Sequence, residues 1–303
     1  MIRIGTLIDV ERSIADAIDQ TRRIKEAGFQ SAWANQIFGQ DALTLLAVVG
    51  NHVGDIELGT AVVPVYPRHP QMLAQQSLTV QSATGGRLCL GIGLSHQMVV
   101  EGLWGYSYDR PARYMREYLS ALMPMLNGEM ALVDGEVIKA VTVGPLDIPD
   151  VTAPQVLVAA LAPVMLKLTG AMTDGTITWM TGTATIKSHI APRINEAAAE
   201  AGRPAPRVVV SLPVCVTDDT ARAKDDIDAA FSIYPTLPSY AAMLEKEGAA
   251  RPADISLIGS AEQVTDAIGL LEEAGGTELV AAISGNPAER EATFEFLASL
   301  ARG

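Results

Sequence analysis

Short apolar segments alternate with segments of helical periodicity along the whole chain. Apolar strands that lack a polar/apolar alternation are typical of parallel sheets buried on both faces. Eight strand–helix units favour a closed (β/α)8 TIM barrel over an open doubly wound sheet. All 303 residues, 1–303, are then expected to form one domain. The predicted strands are Ile2–Ile8, Ser31–Gln36, Ile56–Val63, Arg87–Gly93, Gln155–Ala160, Gly175–Met180, Arg207–Leu212 and Glu278–Ile283.

Four features of the sequence carry further signals. Residues 128–154 hold three glycines between short apolar runs, which predicts a hairpin inserted between strands four and five. Pro213 has no N–H to donate to a ladder, so the seventh strand is predicted to end there. Residues 218–248 have the pattern of an extended helical region. Ser13 with Asp16 has the spacing of a helix cap, which places the first helix between Ser13 and Gly28.

The charge balance limits the partners that the chain is expected to bind. The net charge is −13 and no run of lysine or arginine stands out, so neither nucleic acid nor an anionic membrane is an expected partner. No apolar run approaches the length of a membrane span, and the first residues read as a strand rather than a signal peptide. Cys89 and Cys215 lie in apolar strand patterns and are expected to be buried free thiols of a cytoplasmic protein.

The carboxyl ends of barrel strands form the mouth in which such proteins place their active sites. None of the six lysines falls at a strand end, which argues against a Schiff-base aldolase. Asp9 is the only carboxylate among these ends, so a glycosidase pair is not found. His96 is the only histidine there, which makes a metal-hydrolase cluster improbable. A mouth of this composition either does no chemistry or relies on a cofactor, with the protein supplying shape and orientation.

The segment Thr84–His96 is the clearest candidate for such a cofactor site. Gly85 and Gly86 end a helix, a short buried strand follows, and Ser95 and His96 stand at its end. Gly91 and Gly93 suit a close approach of backbone or ligand, although a packed sheet uses glycines in the same way. The pair lacks the third glycine of a dinucleotide-binding fingerprint.

Several segments resemble the bacterial luciferase-like superfamily, and within it the oxidoreductases that use the deazaflavin coenzyme F420. The resemblance implies a hydride transfer between F420 and an organic small-molecule substrate. The segments that carry it are GTAVVPVYPRHP (59–70), GGRLCLGIGLSH (85–96), SYDRPARYMREYL (107–119), VLVAALAPVML (156–166) and DGTITWMTG (174–182).

The resemblance also implies which residues contact the coenzyme. A non-prolyl cis peptide at Thr60–Ala61, followed by Val62, is expected against the back of the ring. Leu94, Ser95 and His96 would line the edge of the ring, and Ala160, Leu161 and Ala162 would contact it through backbone groups. Thr181, Gly182 and Thr183 resemble a turn that offers N–H groups and hydroxyls to a phosphate, although simple helix capping explains them as well.

The end of the second strand departs from the family pattern. Many relatives carry an acidic residue followed by histidine there, whereas this chain has Asn35 and Gln36. These amides can hydrogen-bond the ring or the substrate, but neither can act as an acid or a base. His96 stands where some relatives use a carboxylic acid, and it is the best proton donor that the mouth offers. A purely structural histidine would give the same sequence.

The sequence is also compatible with two other functions, and the resemblance implies an oligomeric state. An FMN-dependent luciferase-like monooxygenase would use the same barrel, and Gln36 is compatible with a non-catalytic relative that has lost its cofactor. A homodimer is expected from the resemblance, with the helices at 41–53 and 71–84 as the interface because they are apolar and carry few charges.

Overall fold

A computed structural model describes residues 2–303. The helices cover the segments predicted from periodicity, with an additional short helix directly after the fourth barrel strand. The strands are β1 Arg3–Leu7, β2 Ser31–Ala34, β3 Glu57–Thr60, β4 Val63–Pro64, β5 Leu88–Gly93, β6 Leu132–Asp134, β7 Lys139–Val141, β8 Gln155–Val158, β9 Gly175–Trp179, β10 Arg207–Val216, β11 Leu257–Gly259 and β12 Glu278–Ile283. The helices are α1 Ile14–Glu26, α2 Ala42–His52, α3 Pro70–Ala83, α4 Gln97–Gly102, α5 Pro111–Leu126, α6 Pro163–Met172, α7 Thr183–Thr185, α8 Ala191–Glu200, α9 Thr220–Ala230, α10 Pro238–Glu247, α11 Ala261–Glu273 and α12 Pro287–Arg302.

Eight parallel strands close into a barrel, in the order β1, β2, β3, β5, β8, β9, β10, β12 and back to β1. The TIM barrel predicted from the strand–helix alternation is therefore confirmed. Between β5 and β8, the strands β6 and β7 form a small antiparallel pair, with Leu132 opposite Val141. This pair lies within the region in which the glycine pattern predicts a hairpin.

The largest side chain in the centre of the barrel belongs to Trp33, which packs with buried residues of the other strands. Trp33 on β2 is completely buried. A side chain at Gly59 on β3 would collide with the indole ring, and one at Gly5 on β1 would collide with the Ser31 hydroxyl beside it. Both neighbouring strands therefore leave room for the indole, because protein cores pack at nearly crystalline density. The indole Nε1 donates to Ser31 Oγ at 2.7 Å.

The seventh barrel strand does not end at Pro213, so that prediction is wrong. Strand β10 continues to Val216, with Pro213 opposite Ala282 of β12. Val208 and Val214 present their carbonyls to the β12 side, so by alternation Pro213 faces the other side. There, pairing with β9 ends at Ser211 and pairing with β11 begins at Val214. The missing N–H thus falls in a gap between two partner strands.

The region 218–248 is not one continuous helix. It contains α9 and α10, joined by a 3-10 turn at Tyr234–Thr236. Pro235 and Pro238 explain the interruption, since proline cannot donate a helical hydrogen bond. We call residues 217–256 the cover, because they leave β10 and reach over the carboxyl ends of the strands.

Candidate active site

The end of β3 is fixed by its neighbours on both sides. The Thr60 hydroxyl donates to Gly91 O at 2.7 Å and accepts from Gly91 N at 2.8 Å. Ala61 N donates to Ala34 O at 2.8 Å. Gly91 must lack a side chain, because a Cβ there would collide with the Thr60 carbonyl. These contacts bring the ends of β2, β3 and β5 together.

The non-prolyl cis peptide bond joins Ala61 and Val62 rather than Thr60 and Ala61. The expected bond is therefore wrong by one residue, because Thr60 remains in regular strand geometry through its contacts with Gly91. Val62 occupies the space above Gly93, where an added Cβ would lie 2.8 Å from Val62 Cγ2. Ala61 and Val62 are half-buried at the mouth.

Leu94, Ser95 and His96 follow β5 and are half-buried. Ser95 has a φ of 61°, a conformation that non-glycine residues rarely adopt and that is enriched at functional sites. Within residues 2–303, neither the Ser95 hydroxyl nor the His96 imidazole has a hydrogen-bond partner. Burial lowers the pKa of His96 below its ordinary value, so the imidazole is neutral at pH 7.

Asn35 and Gln36 extend from β2 beside this group. Gln36 Oε1 accepts from Ala42 N at 3.2 Å, and the Gln36 side chain also hydrogen-bonds the Asp41 carboxylate, so Gln36 mainly fixes the start of α2. The half-buried Asn35 side chain has no hydrogen-bond partner in the described chain. Asn35, Ser95 and His96 are therefore three neutral polar side chains free to bind a ligand at the mouth.

Aromatic rings of the cover form a row across part of the mouth. The His96 ring lies 5.7 Å from that of Tyr240, and the Tyr240 ring lies 4.9 Å from that of Tyr234. Trp179, at the end of β9, packs edge-on against Phe231 at 5.3 Å and against Tyr234 at 5.9 Å. Sequence reasoning missed this row. Its only signal was the presence of three aromatic residues within the helical region 218–248.

The residues after β8 lie close to the end of β5. Ala159 N donates to Ile92 O at 2.8 Å, and Ala160 is buried. His189 Nε2 lies 2.7 Å from the Leu161 carbonyl. Burial lowers the pKa of His189, so the neutral ring donates to this carbonyl and fixes the loop that contains Leu161 and Ala162.

The turn Thr181–Thr183 is occupied by a carboxylate of this chain. Glu247, at the end of α10, accepts from Ala184 N at 2.9 Å and from Thr185 N at 2.7 Å. A Cβ at Gly182 would collide with this carboxylate, and the Thr181 hydroxyl donates to Trp179 O. The N–H groups of Ala184 and Thr185, which directly follow the predicted phosphate turn Thr181–Thr183, therefore already hold an anion. The turn is joined to the cover rather than to the group around His96.

Arginine side chains near the mouth are bound to carboxylates. Arg68 Nη2 lies 2.8 Å from Asp41 Oδ2, and both Arg110 and Arg113 contact Glu136. Within the described part of the chain, no cluster of three or more histidine, cysteine, aspartate or glutamate side chains is suited to a metal ion. Cys89 and Cys215 are buried free thiols, as expected. None of the helices in residues 2–303 is long and apolar enough to cross a bilayer.

The chain belongs to the luciferase-like monooxygenase family, whose model matches residues 1–278. Among similar proteins, an uncharacterised protein of Mycobacterium tuberculosis is 25% identical over 256 residues, or 79% of this chain and 74% of that protein. The F420-dependent glucose-6-phosphate dehydrogenase of Nocardia farcinica is 27% identical over 186 residues, or 59% of this chain and 55% of the dehydrogenase.

Solved structures with the same fold include an F420-dependent protein and a protein in complex with FMN. The coenzyme F420-dependent tetrahydromethanopterin reductase of Methanopyrus kandleri matches with a TM-score of 0.81 and 19% identity, covering 98% of this chain and 97% of the reductase. The oxygenating constituent of 3,6-diketocamphane monooxygenase of Pseudomonas putida, in complex with FMN, has a TM-score of 0.75 and 19% identity, covering 98% and 97%. At these identities the likeness concerns the fold.

Proposed function

We propose that this protein is an F420-dependent oxidoreductase that exchanges a hydride between the coenzyme and an organic small molecule. The observation that carries the proposal is that Asn35, Ser95 and His96, three neutral side chains without hydrogen-bond partners in the described chain, stand at the same carboxyl end of the barrel as the small residues Ala61 and Gly93. Flat rings can approach small residues closely, and neutral hydrogen-bonding groups suit the polar edge of such a ring. Relatives that use F420 support the choice of coenzyme.

The ring of the coenzyme fits this end of the mouth better than its phosphate fits the predicted turn. Ala61, Val62 and Leu94 supply the apolar surface, and the adjoining backbone of Ala160–Ala162 completes the proposed cradle. The N–H groups after Thr183 are bound to Glu247, so Thr181, Gly182 and Thr183 can receive a phosphate there only if that carboxylate leaves. When bound, the deazaflavin supplies or accepts a hydride.

His96 is the proposed proton-transfer residue, and Gln36 and Asn35 orient the ring or the substrate. At pH 7 the neutral His96 imidazole is ready to accept a proton. In the oxidising direction, His96 would take the proton from the alcohol oxygen of the substrate, and the bound coenzyme would accept the hydride from the adjoining carbon. In the reducing direction, the protonated imidazole returns that proton to the carbonyl oxygen.

Coenzyme titration is the primary test. The purified protein is titrated with F420 and, separately, with FMN, and the change in flavin fluorescence gives each dissociation constant. We expect F420 to bind more tightly. Absence of binding by either flavin would instead identify a non-catalytic relative.

FMN-dependent monooxygenation is the second candidate, because the same fold carries FMN in the diketocamphane enzyme. A yellow protein as purified, together with oxygen consumption in the presence of reduced FMN, would favour it. Colourless protein that binds F420 and consumes no oxygen would favour the deazaflavin reaction.

A homodimer remains part of the proposal. The apolar residues of α2 and α3 that suggested it are largely used within the chain, since Leu43, Leu46 and Leu73 are completely buried. Met72, 51% exposed, is the apolar side chain of these helices still available to a partner. The molecular mass in solution at micromolar concentration tests the proposal, and a monomer would contradict it.

A further inference from the structure

Resting on the proposed function, we infer that the substrate is an uncharged carbonyl compound or alcohol with an apolar body. The groups around His96 recognise one neutral oxygen and offer no countercharge for an anion. The rings of the cover supply the surface for the remainder of the molecule.

The pairing of the arginines near the mouth is the first support. Arg68 is only 15% exposed and is held by Asp41, and Arg110 and Arg113 are held by Glu136. Asp9, the carboxylate at the end of β1, is paired with Arg12. A carboxylate or phosphate of a substrate beside His96 would therefore find these arginines already paired with carboxylates, and its desolvation there is unfavourable.

The aromatic row is the second support. Tyr240, Tyr234, Phe231 and Trp179 lie in successive ring contacts from the His96 side chain to the end of β9. Aromatic surfaces of this kind bind apolar rings and branched aliphatic groups. The row begins at the proposed proton-transfer residue, so the reacting oxygen and the apolar body would lie side by side.

Exposed apolar side chains around the opening are the third support. Phe38, in the loop after β2, is 88% exposed, and Met98, in α4, is 60% exposed. Ile233, in the cover, is 50% exposed. Exposed apolar groups on the loops around one opening are typical of a binding groove for an apolar ligand.

The reaction balances with these groups. When bound, reduced F420 would supply a hydride to the substrate carbonyl carbon, and the imidazolium form of His96 would give its proton to the oxygen, leaving the alcohol, oxidised coenzyme and a neutral imidazole. The reverse reaction returns the hydride to the coenzyme and the proton to His96.

Matched carbonyl compounds that differ by one carboxylate test the inference. Cyclohexanone is compared with 4-oxocyclohexane-1-carboxylate, and benzaldehyde with 4-formylbenzoate. Binding is followed by the shift in melting temperature with and without F420, and turnover by reoxidation of reduced F420. We expect the neutral member of each pair to bind at least about 100-fold more tightly and to react at least about 100-fold faster.

Two substitutions at Tyr240 test the aromatic row. Tyr240→Phe keeps the ring and should bind cyclohexanone within about threefold of the wild type, whereas Tyr240→Ala should weaken binding about tenfold. Phe296→Ala removes a half-buried ring of α12 outside the mouth. This control variant should bind cyclohexanone and F420 with the affinities of the wild type. If Tyr240→Ala does not fold, the inference is still tested by the matched neutral and carboxylate-bearing compounds and by Tyr240→Phe.

The outcomes separate the inference from the coenzyme assignment. Equal or tighter binding of the carboxylate members, or no binding of the neutral ones, overturns the inference even if F420 binds. Selectivity for the neutral members without F420 binding would instead refute the coenzyme and leave the charge selectivity of the mouth standing.

Discussion

At the amino-terminal end of the barrel, charged side chains share one buried cluster, whereas at the carboxyl end the side chains free to bind a ligand are neutral. Glu278, completely buried, accepts from Arg207 at 2.5 Å and also contacts Ser31. Arg207 further binds Glu57 at 2.8 Å and Gln155 at 2.5 Å. At the other end, the Asn35, Ser95 and His96 side chains have no such partners in the described chain.

The difference shows how one barrel separates stability from binding. Buried charges are tolerated when every one is paired and hydrogen-bonded, which is the state of the amino-terminal cluster. Unpartnered neutral groups at the mouth leave hydrogen-bonding capacity for a ligand, as expected of an end that TIM barrels use for function. Substitutions at the first end should therefore change folding, and those at the second should change ligand binding or rate.

His96→Ala should have the largest effect if the mouth is the catalytic end. General acid–base catalysis typically contributes about 10²–10⁴-fold, so a loss of that order in the single-turnover hydride step is expected. The affinity for F420 and the melting temperature should stay nearly unchanged. A wild-type rate in this variant would make His96 structural and assign the proton to water or substrate.

Arg207→Met should show that the amino-terminal end serves folding. Removing the guanidinium leaves Glu57 and the buried Glu278 with only the half-exposed Arg3 as a cation, at 3.4 Å and 3.8 Å, which should lower the free energy of unfolding by about 3 kcal/mol. Chemical denaturation measures it. Arg203→Met provides the control, because the half-exposed Arg203–Asp174 pair should contribute about 1 kcal/mol or less. Equal losses of unfolding free energy in Arg207→Met and Arg203→Met would contradict a special role of the amino-terminal cluster in folding.

The pH dependence of alcohol oxidation should report the lowered pKa of His96. Oxidation needs the neutral imidazole, so the rate should be constant above that pKa and fall about tenfold per pH unit below it. Because burial lowers the pKa below its usual 6.5, the fall should begin on the acid side of that value. His96→Gln should abolish this limb of the profile. A limb that persists in the variant belongs to another group.

Glu247→Gln should show whether the cover competes with the phosphate of the coenzyme. Two anions cannot share the N–H groups of Ala184 and Thr185, so replacing the carboxylate should tighten F420 binding by about 3–30-fold. The deazaflavin chromophore without its phosphate chain is the matched ligand, and its affinity should not change. Equal changes for both ligands would place the phosphate elsewhere.

Gln36→Ala should have the smallest effect. Its side-chain oxygen caps α2, and its side chain also hydrogen-bonds Asp41, so we expect a stability loss of about 1 kcal/mol, with F420 binding several-fold weaker because the end of β2 is less well fixed. Thermal denaturation and the fluorescence titration measure the two effects separately. A rate loss as large as that of His96→Ala would require a catalytic role for Gln36.

The sequence by itself determined the barrel, the position of its eight strands and the neutral character of its mouth. Each of these depends on local information: the alternation of apolar strands with helices, the glycines of 85–93, and the residue types directly after each strand. His96 and Asn35 could be placed at the mouth because strand ends share one edge of a parallel barrel.

Only the tertiary structure decided which groups are already in use. Glu247 reaches the N–H groups of Ala184 and Thr185 across 62 or more residues, and Tyr240 meets His96 from a segment that sequence periodicity describes only as helical. Pro213 continues a strand because two partner strands leave a gap at its nitrogen. Such contacts depend on strand register and on side chains brought together from distant parts of the chain, which local patterns do not encode.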